Sequence, residues 1–476
     1  MDENKSKMVF DYIVVGTGPA GAVISKTLTD DKKTSVLVLE AGENNDQDQP
    51  IRDSRFAPEL EEKFFPEYFW QGEGVPQPGV DERTFEWTTG RLSGGGSSIN
   101  GEQYVRPTPD ILKEWEKLLG SLWSPKQAIQ NFKQLENYNG KTRTPNIHGY
   151  NGRIDIRQAP VNPPNITRKL VSAIEKATGF KKILDYNDPG TPIGPFKRWQ
   201  LFQKPDGQRE SASTAFLSSD IITPDGIGVN GRKLTVLYKS TALKILFKQK
   251  KAVGVDILKE GKKIRALARK KVIISAGINS AQLLMLSGIG PSADLREAGI
   301  PVVFDNPNVG KNLTNHTLNT AVFTANSNDL QEALKDPNGL YTGGTFLPDP
   351  LLRNKRRGVQ LIGSVAEGKL IITILFLQPK SRGSIKIQNA DPLKIVLADE
   401  GFLDNPYDLE VVKEIYKTYI KSIAMKLSEI DSAYQLVSPT LEMIEDDEQL
   451  VDFIKENFGH NHHQQSSLRM APFTNC

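Results

Sequence analysis

The chain has 476 residues, 38% apolar and 25% charged, the balance of a soluble globular enzyme and not of a disordered polymer. Lys and Arg number 60 against 57 Asp and Glu, a net charge of +3 that lacks the electrostatic footprint of a dedicated nucleic-acid binder. One cysteine, Cys476, excludes an intramolecular disulfide and any cysteine-built zinc cluster.

Phe10 to Val15 is apolar and β-rich and predicts a strand. It breaks at Gly16-Thr17-Gly18-Pro19-Ala20-Gly21, and Ala22, Val23, Ile24 and Leu28 then follow a helical period. Ser35 to Leu39 predicts a second strand that ends in Glu40-Ala41-Gly42. Strand, glycine turn, helix and strand is the unit that builds a parallel sheet. In that setting Gly16-x-Gly18-x-x-Gly21 points to a dinucleotide. Gly16 permits the tight turn, Gly18 lets backbone approach a pyrophosphate, and Gly21 lets the helix pack closely on the strand. The helix N-terminus offers free N–H groups to the phosphates. Glu40 can accept hydrogen bonds from ribose hydroxyls.

Gly90-Arg91-Leu92-Ser93-Gly94-Gly95-Gly96-Ser97-Ser98-Ile99-Asn100-Gly101 is either a flexible linker or a loop that lies against a cofactor. Its neighbours Trp87 and Tyr104-Val105-Arg106 favour the cofactor loop. Residues 136 to 230 are rich in Pro, Asn and Gly. Leu234 to Leu237, Leu243 to Phe247 and Ala252 to Ile257 predict a β-meander, and Lys271 to Ser275 a buried strand followed by a helix over Asn279 to Leu286. Further strands are predicted at Ile371 to Leu377 and Ser384 to Ile387. A long amphipathic helix is predicted over about Leu409 to Leu427, with Leu409, Val412, Tyr416, Tyr419, Ile423 and Leu427 on one face. The basic runs at Lys248 to Lys251, Arg269 to Lys271 and Arg353 to Arg357 are either contacts for phosphate or an acidic partner or, the favoured reading, solvated surface balanced by nearby acids. Leu370 to Leu377, the longest apolar run, is too short to span a membrane, and the charged Met1 to Met8 carries no secretory pattern. The expected location is cytoplasmic by default.

Three of the five histidines fall in His460-Asn461-His462-His463. Read alone, this tract is a proton-transfer site, a solvated run or an adventitious metal site. No cysteine or organised carboxylate set accompanies it, so no metal ligands are assigned.

Together these stretches resemble the glucose–methanol–choline (GMC) family of flavin-dependent oxidoreductases. Phe10 to Gly42 is similar to the family's FAD-binding start. Gly90 to Arg106 resembles its first signature, Ser275 to Gly290 its second, and Val309-Gly310-Lys311-Asn312-Leu313-Thr314-Asn315-His316 its V-G-x-N-L-x-D-H segment. Gly96, Pro107, Ala281 and Asn315 depart from the usual residues. The resemblance implies an α/β fold of two lobes: a Rossmann-like parallel sheet with a β-meander that holds FAD, and a sheet-and-helix substrate lobe. The flavin lobe is expected from 1–135 and 231–316, the substrate lobe from 136–230 and 317–460, with 461–476 as a catalytic tail. The residues expected at the cofactor are Gly16, Gly18, Gly21, Glu40, Ala41, Arg91, Gly95, Ser97, Asn100 and Ala242. His463 takes the family's base position, ahead of Ser466, Ser467 and Met470. There it would remove the hydroxyl proton of a small-molecule alcohol while hydride leaves for the flavin. An imidazole with an ordinary pKa of about 6.5 suits that task.

The resemblance also implies a longer segment after this motif, so the chain is expected to be truncated after His463 and inactive alone. Two further readings accompany that expectation. One is a structural or virion-associated protein of the giant-virus type that reuses the fold. The other is one half of a split enzyme, completed by a complementary C-terminal polypeptide.

Overall fold

The computed structural model describes residues 8 to 471 except 54, 57–59, 65, 160–161, 337–340 and 353–355. Cys476 and the Arg353 to Lys355 part of one basic run lie outside the described residues. Two six-stranded sheets organise the rest.

The first sheet starts from the predicted unit. Strand β1 (Met8–Val15), helix α1 (Pro19–Leu28) and strand β2 (Val36–Leu39) form a parallel pair with its crossover helix. Strand Leu234–Leu237 extends the parallel sheet beyond β2. On the other side β1 runs parallel to Lys262–Ile274, a strand long enough to belong also to the meander with Ser240–Lys248 and Lys251–Lys259. Alternate residues explain why Ile13 to Val15 and the whole of β2 are apolar. Val14, Val36 and Val38 point to one face, with Ala22 of α1 and with Ala215 to Ile222. Ile13, Leu37 and Leu39 point to the other, against Ile245, Val255, Ile257 and Leu283. A parallel sheet covered on both faces requires that pattern.

The second sheet runs in the order Leu436–Ser438, Asn319–Phe323, Lys369–Phe376, Arg357–Ala366, Tyr341–Pro348, Gly194–Phe196. The long helix packs on it. It spans Pro406–Glu414, widens to a π turn at Ile415–Ile420 and continues over Lys421–Ile430. Asn405 caps it by accepting the Tyr407 N–H, and Pro406 occupies the first turn, where no partner N–H is needed. Val412, Tyr416, Tyr419, Ile423 and Leu427 of the expected face are buried in its core, with Leu409 packed at the edge. Each lobe is thus assembled from separated pieces of chain. Among the described residues no helix is long and apolar enough to cross a membrane.

One basic run departs from expectation. Arg356 pairs with Asp110 and Glu114 at the surface, as a solvated cation should. Arg357 is only 6% exposed. Its guanidinium lies 3.8 Å over the Phe346 ring and donates to the carbonyls of Tyr186 and Pro192. It sits at the start of a central strand, where the pairing with Tyr341–Pro348 shifts register between Leu347 and Pro348, and it packs inward over Phe346.

A buried polar knot joins the first signature to the residues that follow it. Glu136 accepts from Tyr104 Oη at 2.6 Å, from the Gly149 N–H at 2.8 Å and from the Arg106 guanidinium. His148 lies between two carboxylates, with Nδ1 3.1 Å from Glu136 and Nε2 2.9 Å from Asp185, and stacks on Tyr138 at 3.6 Å. With a carboxylate at each nitrogen the imidazole carries both hydrogens. Burial alone would lower its pKa, but the hydrogen bonds to Asp185 and Glu136 outweigh it and hold the pKa above its ordinary 6.5.

Candidate functional site

The glycine turn, the first-signature loop and the second signature converge on one groove. Gly16, Gly18, Glu40, Ala41, Gly95 and Ala242 line it, all expected at the cofactor, together with Ser275 to Gly277. It holds about 970 Å³ not filled by protein atoms, open solvent at its mouth included. Gly16 adopts φ +96°, a left-handed conformation that a side chain would strain. Gly21 is excluded from change by space: a Cβ there would stand 1.9 Å from the Gly16 carbonyl oxygen. A Cβ on Gly18 would meet nothing nearer than 4.0 Å and would project into the open groove. Gly21→Val is therefore expected to spread the turn and yield protein that retains no flavin when dialysed against FAD. Retention equal to the parent would contradict this.

Glu40 is 5% exposed at the end of β2. Its Oε2 accepts from the N–H and hydroxyl of Thr17, and its Oε1 accepts from the Gly42 N–H at 3.0 Å. Burial pushes its pKa up against those hydrogen bonds. The carboxylate thus braces the glycine turn and keeps lone-pair capacity at the groove wall.

Gly21, Arg91, Ser97 and Asn100 do not line the groove. Gly21 works behind the turn. The Arg91 guanidinium packs over Trp70 at 4.9 Å, and Trp70 itself lines the groove. Ser97 donates to the Gly94 carbonyl at 2.6 Å and accepts from the Ala212 N–H at 2.9 Å. Asn100 Oδ1 accepts from the Glu102 N–H and from Arg209. The tight 3-10 turn at Gly95–Ser98 directs these side chains into the protein and leaves backbone at the groove.

Other lining residues had not been singled out: Trp70, Thr89, Thr241, Asn279, Gln282 and Leu393. Asn279 and Gln282 stand in the second signature, which was their available signal. Trp70 and Leu393 carry no motif. Asn279 Oδ1 is buried in the groove wall with no hydrogen-bond partner among the described residues, an acceptor open to a bound group or water.

The histidine tract sits beside this groove and does not line it. Gln465 pairs with Thr314 through two backbone hydrogen bonds of 3.0 Å, and the Gly310 N–H donates to the Ser467 carbonyl. The tail is thereby sewn to the Val309 to His316 segment. His463 donates its N–H to Asn315 Oδ1 at 3.0 Å, and its Nδ1 lies 3.0 Å from His316 Nδ1. His462, at φ +54°, places Nδ1 3.1 Å from the Thr88 hydroxyl, next to the groove residues Thr89 and Gly90. His460 Nε2 lies 2.9 Å from Glu400. Four histidines thus meet where the sequence showed three within four positions. Loss of hydration, with the charge of His460, lowers the His463 pKa, and loss of hydration with nearby His463 pushes His316 down to about 3. Among the described residues no group of three or more His, Cys, Asp or Glu side chains could hold a metal ion.

Comparison with known proteins agrees with this assembly. The chain is 31% identical to an alcohol dehydrogenase [acceptor] of Pseudomonas putida, over 85% of this chain and 76% of that protein. It is 32% identical to an oxygen-dependent choline dehydrogenase of Staphylococcus saprophyticus over 65% of this chain, and there it spans about half (53%) of the relative's length. Among solved structures, pyridoxine 4-oxidase from Mesorbium loti superposes with a TM-score of 0.84 at 22% identity, covering 98% of this chain and 90% of that one. A formate oxidase variant of Aspergillus oryzae gives 0.85 at 20%, with the same coverage. These two likenesses show the fold. The expectation of truncation finds no support, because the family's C-terminal profile, GMC oxidoreductase, matches residues 379–474. Neither a giant-virus origin nor a complementary polypeptide finds support in the relatives. The N-terminal profile of the same description matches residues 10–318, and on that match and the Pseudomonas relative the chain belongs to the GMC oxidoreductase family.

Proposed function

We propose that the chain is an FAD-dependent oxidoreductase that oxidises a small-molecule alcohol, with the flavin lobe built from 1–135 and 231–316 and the substrate lobe from 136–230 and 317–460. The observation that carries the reading is the groove itself. It brings the glycine turn, Glu40 and both signature segments together, with an unpartnered acceptor in its wall and the His463 tail at its side. The residues present fit FAD. The turn and the N-terminus of α1 would face the pyrophosphate, Glu40 the ribose, and the strand around Ala242 the adenine. Arg91, Ser97 and Asn100 would act by shaping the loop that lies against the cofactor. When bound, FAD supplies the hydride acceptor. His463 would accept the substrate hydroxyl proton at Nε2, which has no protein partner among the described residues. Its lowered pKa keeps it unprotonated, and so able to act, at neutral pH.

Glu40→Ala is expected to weaken FAD retention by about 10- to 100-fold, the worth of a hydrogen bond to a charged group, measured by equilibrium dialysis. The reading as a whole is tested by purifying the chain and adding a panel of primary alcohols without oxygen. A yellow protein that bleaches is expected. A colourless protein that takes up no added FAD would overturn the proposal.

A further inference from the structure

His316 was singled out only as the end of the Val309 to His316 segment, and the mechanism above gives it no task. In the fold its Nδ1 lies 3.0 Å from the Nδ1 of His463, with ring centroids 5.1 Å apart and planes at 86°. A separation that short between two ring nitrogens requires one hydrogen between them. Two lone pairs would repel, and two N–H groups would clash. Each histidine's tautomer therefore dictates the other's. The backbone N–H of His463 is held independently by Asn315 Oδ1, which anchors the main chain from which the ring projects.

The second group at His463 Nδ1 is the Asn461 amide, 2.9 Å off. Its nitrogen faces the ring, but an amide exchanges oxygen for nitrogen by turning over. Asn461 can therefore follow whichever state the histidine pair adopts. His316 can change role only by moving a proton between its own nitrogens. Of the two neighbours, His316 is the one that selects.

We propose that His316 is a positioning residue that fixes the working tautomer of His463. Neutral His316, protonated at Nε2, accepts the Nδ1–H of His463. The Nε2 lone pair of His463 is then free for the substrate hydroxyl proton. In that step the substrate O–H bond breaks, the Nε2–H bond forms, and the Nδ1–H bond of His463 is kept. In the opposite tautomer Nε2 of His463 already carries hydrogen and cannot act as a base. Loss of hydration keeps His316 neutral, so it does not compete for the proton. The inference rests on the reading of His463 as the base, but its test does not depend on turnover.

The test is a long-range proton–nitrogen correlation spectrum of the FAD-loaded chain labelled with 15N-histidine. His463 is assigned by the signals lost in His463→Gln. The expected result is Nδ1–H, Nε2-unprotonated His463 in the parent. In His316→Ala, where the Asn461 amide nitrogen, donating to Nδ1, is the remaining partner, His463 shifts toward the Nε2–H form. In His316→Asn, whose Oδ1 can accept, the parent form returns. The limiting rate of anaerobic bleaching by benzyl alcohol should fall at least tenfold in His316→Ala and recover in part in His316→Asn, with little change in the half-saturating alcohol concentration. A parent His463 found as Nε2–H, or a tautomer unmoved by His316→Ala, would overturn the proposal. If the parent is not bleached by any alcohol, the functional reading fails, and the spectrum still decides the role of His316.

Discussion

His463→Ala is expected to slow the anaerobic reduction of bound flavin by an alcohol by about 10²- to 10⁴-fold, the usual worth of a positioned general base. The fold should survive, because the side chain stands at a partly open edge and contributes to none of the apolar cores. FAD content and the unfolding midpoint are therefore expected to match the parent, so a fall in rate reports chemistry. The pH profile sharpens the test. The His463 pKa lies below the ordinary 6.5, so the unprotonated base persists further into acid than a free imidazole would. The limiting rate should be flat from neutral pH upward and decline only on the acid side of 6.5. A variant that bleaches at the parental rate would refute the assignment of the base.

The second large effect concerns stability. Glu136→Gln is expected to cost about 3–5 kcal/mol, the range found when one partner of a buried ion pair is removed. The variant leaves the buried Arg106 guanidinium and His148 without their shared carboxylate, with Asp185 as the remaining acid at His148. The measurement is a denaturant unfolding curve followed separately by tryptophan and flavin fluorescence, since two lobes need not unfold together. The signs of the pH dependence follow from the same knot. His148 has a raised pKa in the fold, so its contribution is complete below 6.5 and is lost as pH rises through the higher folded value. For Glu136 burial would raise the pKa, but the hydrogen bond to His148 and the charge of Arg106 hold it below 4.5. Asp185 is likewise held below 3.8 against burial, chiefly by His148. Their contributions are complete above those values and are lost as pH falls through the lower folded ones. Stability should therefore fall on both sides of a mildly acid plateau. His148→Gln should flatten the alkaline side, and an alkaline limb unchanged in that variant would remove His148 from the account.

Much of the flavin half was readable one residue after another, because its logic is local. A strand, a glycine turn, a helix and a strand leading to Glu40 are contiguous, and Gly16 and Gly21 answer constraints of backbone conformation and of close packing within the turn. The same holds for the helix expected around Leu409 to Leu427, where a 3.6-residue period tracks one buried face. Short motifs were less safe guides to contact. Ser97 and Asn100 belong to the signature loop, yet their polar atoms are consumed inside the protein, because a 3-10 turn decides which way each side chain points. Arg357 reads as one more surface cation, yet it is buried against Phe346 where the strand pairing shifts register, which no local pattern encodes.

By itself the sequence determined the family, the two-lobed α/β design, the glycine turn with Glu40, and His463 as the residue to watch. Only the tertiary structure decided which groups surround that histidine. His316 and His463 are 147 positions apart, and Glu136, His148 and Asp185 come together from separate turns and strands. No periodicity encodes such pairings, because a hydrogen bond between remote side chains is set by how strands and loops pack. The histidine tract illustrates the division: its composition left proton transfer, a solvated run and a metal site open, and only the fold brought His316 to 3.0 Å from His463.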